Sequence, residues 1–234
     1  MTTARTTHPR LAPRRAGGRQ PWWAKAWTRA VEEAAFSERD LRAGQRLARA
    51  GQVGGITVGA GSVLAAVRED DDAWTVTVDV PVLATPERDA LVDAVAAESG
   101  RVAALLAGDL PHRLVEDAEE LGVELLPYGG ELAATCTCPH SLDPCAHALA
   151  VLVQVGWLVA DDPLVLLALR GLDREDLLAR LHARTGSGDA SDDEGSGGAS
   201  GGEDPDVLDV AADAALRAAR LLREIEAGRV PESW

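Results

Sequence analysis

An α+β fold is expected for this chain of 234 residues. Two patterns carry the expectation: apolar residues alternate along 53–80, as in half-buried strands, and stripes of 3.6-residue period flank them on both sides. Third, the centre of the chain reads as a strand, a short loop and a helix. The class is a small antiparallel β region with helices packed around it and further helices at the C-terminal end.

The elements follow in order. Residues 1–20 are rich in Thr, Pro, Arg and Gly with no apolar period, and read as a disordered basic tail. A helix is expected from Pro21 to about Phe36, with Pro tolerated at its start and Trp23, Trp27, Ala30, Val31 and Ala34 on one face. This Trp cluster suits either a stacking platform for bases or a hydrophobic anchor; the helical spacing favours the anchor. Leu41 to Ala50 is a second helix, closed by Gly51. Val53–Val58, Ser62–Arg68 and Trp74–Val80 alternate as three strands, with turns at Gly59-Ala60-Gly61 and Asp70-Asp71-Asp72. The three acids lack the ligand pattern of a cation loop and read as a polar hairpin tip. Helices are expected over 86–99, 102–107 and 114–121, and Val123–Leu126 as a short strand.

Cys136, Cys138, His140, Cys145 and His147 lie in one twelve-residue run; outside it there is no cysteine, and the other histidines are His8, His112 and His182. Zinc takes Cys sulfur and His nitrogen, and structural sites fill all four positions from the protein. Glu131–Cys138 reads as a strand after Gly129-Gly130, so Cys136 and Cys138 share a face. Asp143-Pro144 reads as the N-cap and first residue of a helix, which puts Cys145 and His147 in its first turn, where the dipole favours a thiolate. A disulfide between Cys136 and Cys138 closes a strained loop and leaves an odd thiol. A redox pair is more often spaced Cys-x-x-Cys, and a catalytic zinc needs an open position. One structural Zn²⁺ held by Cys136, Cys138, Cys145 and His147 is therefore expected. His140 remains a loop residue, a donor behind a ligand, or the fourth ligand itself.

The order Cys-x-Cys, short loop, Cys-x-His resembles the SWIM zinc finger, which occurs in bacterial proteins encoded near SWI/SNF-type helicases and in some transposases and ubiquitin-pathway proteins. The Trp-rich opening at 21–27 and the layout of 41–67 and 162–181 are similar to bacterial members. Ala146 departs from the resemblance, standing where a basic residue is common. The resemblance implies a zinc-braced interaction module with a protein partner, a SWI/SNF-type helicase.

The helix after the site is expected to run to about Leu158. Apolar residues cover nearly all its faces, so it is buried or hides a face against a partner. Helices over 162–169 and 173–184 follow, with Asp173 as N-cap. The resulting division is 1–20 tail, 21–128 N-terminal α+β module, 129–160 finger, 161–185 helical extension, 186–205 acidic Gly/Ser linker and 206–234 C-terminal helix. That last helix carries a stripe from Val207 to Ile225 and could dock on the parent or on another protein.

Charge separates the function classes. Residues 1–31 carry seven Lys and Arg and no acid, whereas the rest holds the other 16 basic residues and all 38 Asp and Glu. No Lys or Arg lies between Arg113 and Arg170, and that stretch holds nine acids. Nucleic-acid affinity is dominated by cations meeting phosphates. Direct binding through the finger is therefore disfavoured, and the alternative is nucleic-acid binding through the basic N-terminal arm and Trp cluster. An enzyme is not expected: there is no phosphate-cradling Gly-Lys-Ser/Thr loop, no nucleophile elbow, and no cysteine outside the cluster. No apolar run reaches the roughly 18 residues of a membrane span. The first thirty residues lack a secretory apolar core. With clustered thiols suited to a reducing compartment, a cytoplasmic protein without membrane contact is expected.

Overall fold

Three alternating runs form the antiparallel meander at the centre of the computed structural model, which describes residues 5–15, 18–140 and 142–188. They are β2 (Val53–Gly59), β3 (Ser62–Glu69) and β4 (Asp72–Asp79). Val63 pairs with Val78 and Val67 with Trp74. Ile56, Val58, Val63, Ala65, Val67, Val76 and Val78 are buried on one face, as period-2 patterning requires. Asp70 opens the acidic turn at φ 53, a left-handed conformation that Asp tolerates better than most residues. The three acids are thus a hairpin tip.

Both edges of the meander are covered. On one side β1 (Thr6–His8) pairs with β2, Thr6 opposite Val58 and His8 opposite Ile56. The disorder expected for 1–20 is corrected for the described part of that segment. Its order is not paid for by side-chain burial, which is what the sequence pattern reports. Backbone pairing to an open sheet edge supplies it, together with the Arg10 Nε bond to Gly51 O at 2.7 Å and the Arg14 N bond to Arg49 O at 3.0 Å. On the other side β5 (Ala133–Cys136) pairs with β4, Val76 opposite Cys136. The order is β1-β2-β3-β4-β5, all antiparallel.

Helices α1 (Trp22–Ala34) and α2 (Glu38–Arg49) precede β2; α3 (Thr85–Ala96), α4 (Ser99–Leu106) and α5 (His112–Glu120) follow β4. After β5 come α6 (Ala146–Asp161), α7 (Leu164–Leu169) and α8 (Arg174–Gly188). The α+β class holds, with eight helices on a five-stranded sheet among the described residues. No strand forms over 123–126. The edge of β4 is taken by β5, and Glu124 O accepts from Arg170 Nη2 at 2.7 Å instead of from a strand partner. Helix α7 starts at Leu164 because Asp162 leaves α6 in extended conformation, its Oδ1 accepting from Leu164 N at 2.8 Å. Asp173 caps α8, accepting from Asp176 N at 2.9 Å. That helix reaches Gly188, into the expected linker. The linker beyond it and the helix at 206–234 lie outside the described residues, all of which belong to the first of two units, Met1–Asp189.

Helix α6 is the hub, and it is buried rather than held open for a partner. Trp23 Nε1 donates to Val159 O at 2.9 Å and Trp27 Nε1 to Leu152 O at 3.0 Å. The Trp cluster is therefore an anchor of α1 on α6: Trp23 and Trp27 are buried, and each indole N–H finds an acceptor, as buried indoles do. Helix α2 packs on α6 through Gly44, where a Cβ would lie 2.8 Å from both Ala146 O and Leu149 Cβ. Buried Gln154 donates to Ala48 O at 2.9 Å across the same contact. No described helix is long and apolar enough to cross a membrane.

Candidate metal centre

Strand β5 delivers the first two sulfurs. Beyond its last residue the pairing with β4 continues, Thr137 N donating to Thr75 O at 3.0 Å and Thr75 N to Thr137 Oγ1 at 3.0 Å. Cys138 therefore stays in register with Ala134 and Cys136, and all three turn to the core face. The chain returns at the start of α6. Cys145, not Asp143, is the N-cap, with φ −77 and ψ 176, and the helix begins at Ala146. In that extended cap conformation the buried Cys145 thiol turns back to β5, while its carbonyl accepts from Leu149 N at 2.9 Å. His147 follows in the first turn.

The four side chains converge. Cys138 Sγ lies 3.6 Å from Cys145 Sγ, and His147 Nδ1 lies 3.9 Å from both Cys136 Sγ and Cys145 Sγ. All four donor atoms fall within 4.8 Å of one another. A tetrahedral zinc with Zn–S near 2.3 Å and Zn–N near 2.0 Å needs S···S edges of about 3.8 Å and S···N edges of about 3.5 Å. The donor set and its spacing fit, the three cysteines are free thiols, and the group is positioned to bind zinc. His140 is not part of the group; its Nδ1 meets the backbone of Leu142 at 3.2 Å on the exposed loop.

The other face of His147 is held by a residue that spacing alone did not single out. Its Nε2 lies 2.8 Å from Glu69 Oε2 at the end of β3. With Nε2–H donating to that carboxylate, Nδ1 presents a lone pair to the sulfurs, the arrangement that orients a metal-bound imidazole. The ring of Trp74 lies 6.1 Å away at 36° and closes the flank. Glu69 lies 78 positions before His147 and shares no motif with it; only the β3–β4 register brings the hairpin end to the top of α6.

Burial dominates the thiols. It pushes Cys136 up to about 12 and raises Cys145; Cys138 and Cys145 add to the first, and Cys138 adds to the second while the Cys136 hydrogen bond opposes it. Backbone hydrogen bonds from Cys138 and Ala148 oppose the shift without reversing it. The helix-end preference for a thiolate is thus outweighed. A divalent cation reverses the balance, because a coordinating thiol gives up its proton.

Residues 117–156 match the family model of the SWIM zinc finger. That segment belongs to the SWIM family. The match spans the end of α5, β5, all four donors and α6 as far as Gly156. The chain is also 31% identical over 173 residues to the uncharacterized protein Rv2102 of Mycobacterium tuberculosis, covering 73% of this chain and 62% of that protein. The chain thus spans less than two thirds of that relative's length. No solved structure matches it. Within the SWIM finger the two halves of the donor set come from β5 and α6, so an ion there joins the sheet edge to the central helix.

Proposed function

We propose that this is a non-enzymatic, cytoplasmic accessory factor. Its SWIM finger, braced by one structural Zn²⁺ on Cys136, Cys138, Cys145 and His147, presents a surface to a protein partner, a SWI/SNF-type helicase-like DNA motor. The bound ion supplies cross-linking, which in small fingers is worth about 10–16 kcal/mol of apparent folding free energy. Four protein donors leave no open coordination position, which supports a structural over a catalytic role.

The observation that carries the reading is the surface beside the finger. A cavity of about 370 Å³ opens over the donors Cys138 and His147 and is otherwise lined by Glu69, Asp70, Asp72, Trp74, Pro139 and His140. Exposed Leu142 follows on the same loop. Carboxylates, an indole face and a loop proline together suit a basic segment of another protein, through charge pairing and cation–π contact. The test is a pulldown with the full chain as bait. It is expected to recover a helicase-like ATPase, and to lose it with Cys145→Ser and with Asp70→Lys/Asp72→Lys. Recovery indifferent to all three substitutions would sink the proposal.

A further inference from the structure

Among the described residues the acidic chain carries a surface of opposite sign on α2 and the N-terminal arm. Along α2, Arg39, Arg42, Arg46 and Arg49 recur every three or four residues. At about 100° per residue they fall within about 80° of one another, over about 15 Å of helix. All four are exposed. At the C-terminal end of this stripe the N-terminal arm crosses α2, Arg14 N donating to Arg49 O at 3.0 Å. Between arm and helices opens a cavity of about 480 Å³, into which Arg14, Arg15, Arg19 and Arg49 project beside Gln20 and Gln45.

The pairing of these cations decides what the surface can do. Arg14 is taken by Asp161 at 3.2 Å and lies 5.1 Å over the ring of Trp157; Arg42 is taken by Glu38. Arg15, Arg19, Arg39, Arg46 and Arg49 have no ion pair among the described residues. Two acids share the cavity, Asp161, which Arg14 neutralises, and Glu32. Five unpaired guanidinium groups on a track of this length, in a chain of net charge −15, are held together against the trend of the molecule. Like charges so placed repel one another until an anion meets them.

We infer that the arm and α2 form a track for the phosphate backbone of nucleic acid. A guanidinium fork grips phosphate in two hydrogen bonds. Duplex phosphates recur every 3.4 Å or so of axis per strand, so about four of one strand face the 15 Å stripe. A bilayer fits less well. Arg15, Arg19 and Arg49 line a concave cleft instead of a flat face, and the apolar side chains of α2, Leu41 and Leu47, pack on the core instead of facing outward as an interfacial helix requires. This goes beyond the partner reading above: Arg46 borders Glu69 and Asp70 across a second cavity of about 270 Å³, but Arg15, Arg19 and Arg49 line the arm cleft, which holds none of the finger's residues, so the two fail separately.

The test is fluorescence anisotropy of the zinc-loaded full chain with a labelled 20-nucleotide single strand and its duplex, across salt. Five contacts predict slopes of log K against log salt of about −3.5 for the single strand and −4.5 for the duplex. Between 50 and 200 mM salt, affinity then falls about 130-fold and 500-fold. Arg46→Ala/Arg49→Ala should flatten the slopes by about 1.4 and 1.8, with circular dichroism and zinc content unchanged. Arg113→Ala, on α5, should leave them alone. No complex at 50 mM salt overturns the inference. So does a slope untouched by the double substitution, an equal effect from Arg113→Ala, or binding to phosphatidylserine vesicles without binding to either oligonucleotide.

Discussion

Replacing Glu69 by alanine removes the acceptor of the His147 Nε2–H and leaves all four donors in place. Loss of such an outer partner costs about 10- to 100-fold in metal affinity, or about 1.4 to 2.7 kcal/mol. The structure places this case at the low end. The Glu69 side chain is 50% exposed, so water can take over as acceptor, while the imidazole, 8% exposed, stays fixed by its packing. The expected loss is about tenfold, and less for Glu69→Gln, which keeps an acceptor oxygen. Competition with a chromophoric chelator at pH 7 measures it. Asp71→Ala, at the exposed hairpin tip, controls for simple loss of a nearby negative charge. Unchanged affinity in Glu69→Ala, or an equal loss in Asp71→Ala, would refute the orienting role.

Three further outcomes are expected. With Cys136 pushed up to about 12 and Cys145 also raised, both thiols are protonated at pH 7 without metal. Zinc binding then releases at least these two protons, and apparent affinity falls about 100-fold for each unit the pH drops. Calorimetry in buffers of different ionisation enthalpy counts the protons, and a count of zero contradicts the geometry. Gly44→Ala gains about 1 kcal/mol of helix propensity. It also forces a Cβ to 2.8 Å from Ala146 O, which belongs to rigid backbone, an overpacking cost of about 1–3 kcal/mol. Net destabilisation of about 1 kcal/mol in urea melts is expected, and a net gain would show that α2 is not clamped to α6. Trp27→Ala should cost about 3–5 kcal/mol, since the ring is 1% exposed and bonded to Leu152 O. Phe36→Ala, on a side chain 70% exposed, should change stability by less than about 0.5 kcal/mol in the same melts.

What could be read from the residues alone divides along physical lines. Local periodicity was legible: the three meander strands, the anchor face of Trp23 and Trp27, and the all-round apolar α6 come from patterns a few residues long. The donors were legible because ligand spacing is itself local, Cys136 and Cys138 by strand parity, Cys145 and His147 by the helical turn. Long-range pairing was not. Thr6–His8 has no apolar pattern and is ordered by backbone bonds to an edge some fifty residues away. The apolar letters of Val123–Leu126 suit a strand, but Val123 and Leu125 are buried in an irregular segment whose carbonyl partner is Arg170. Asp143-Pro144 has the composition of a helix start, yet the helix waits until Ala146 while Cys145 caps it from the site. Glu69 depends on the register of a hairpin against the end of a helix, which no local window contains. The Arg stripe of α2 was not singled out from the sequence, and its continuity with the arm needed the fold.

One zinc ion is expected to join the edge of the sheet to the head of the central helix. Zinc K-edge X-ray absorption on the purified full chain tests this most directly. One zinc per chain, with three sulfurs at about 2.3 Å and one nitrogen at about 2.0 Å, is the expected first shell. A shell dominated by oxygen, or protein without stoichiometric metal whose sulfurs are oxidised, would contradict it.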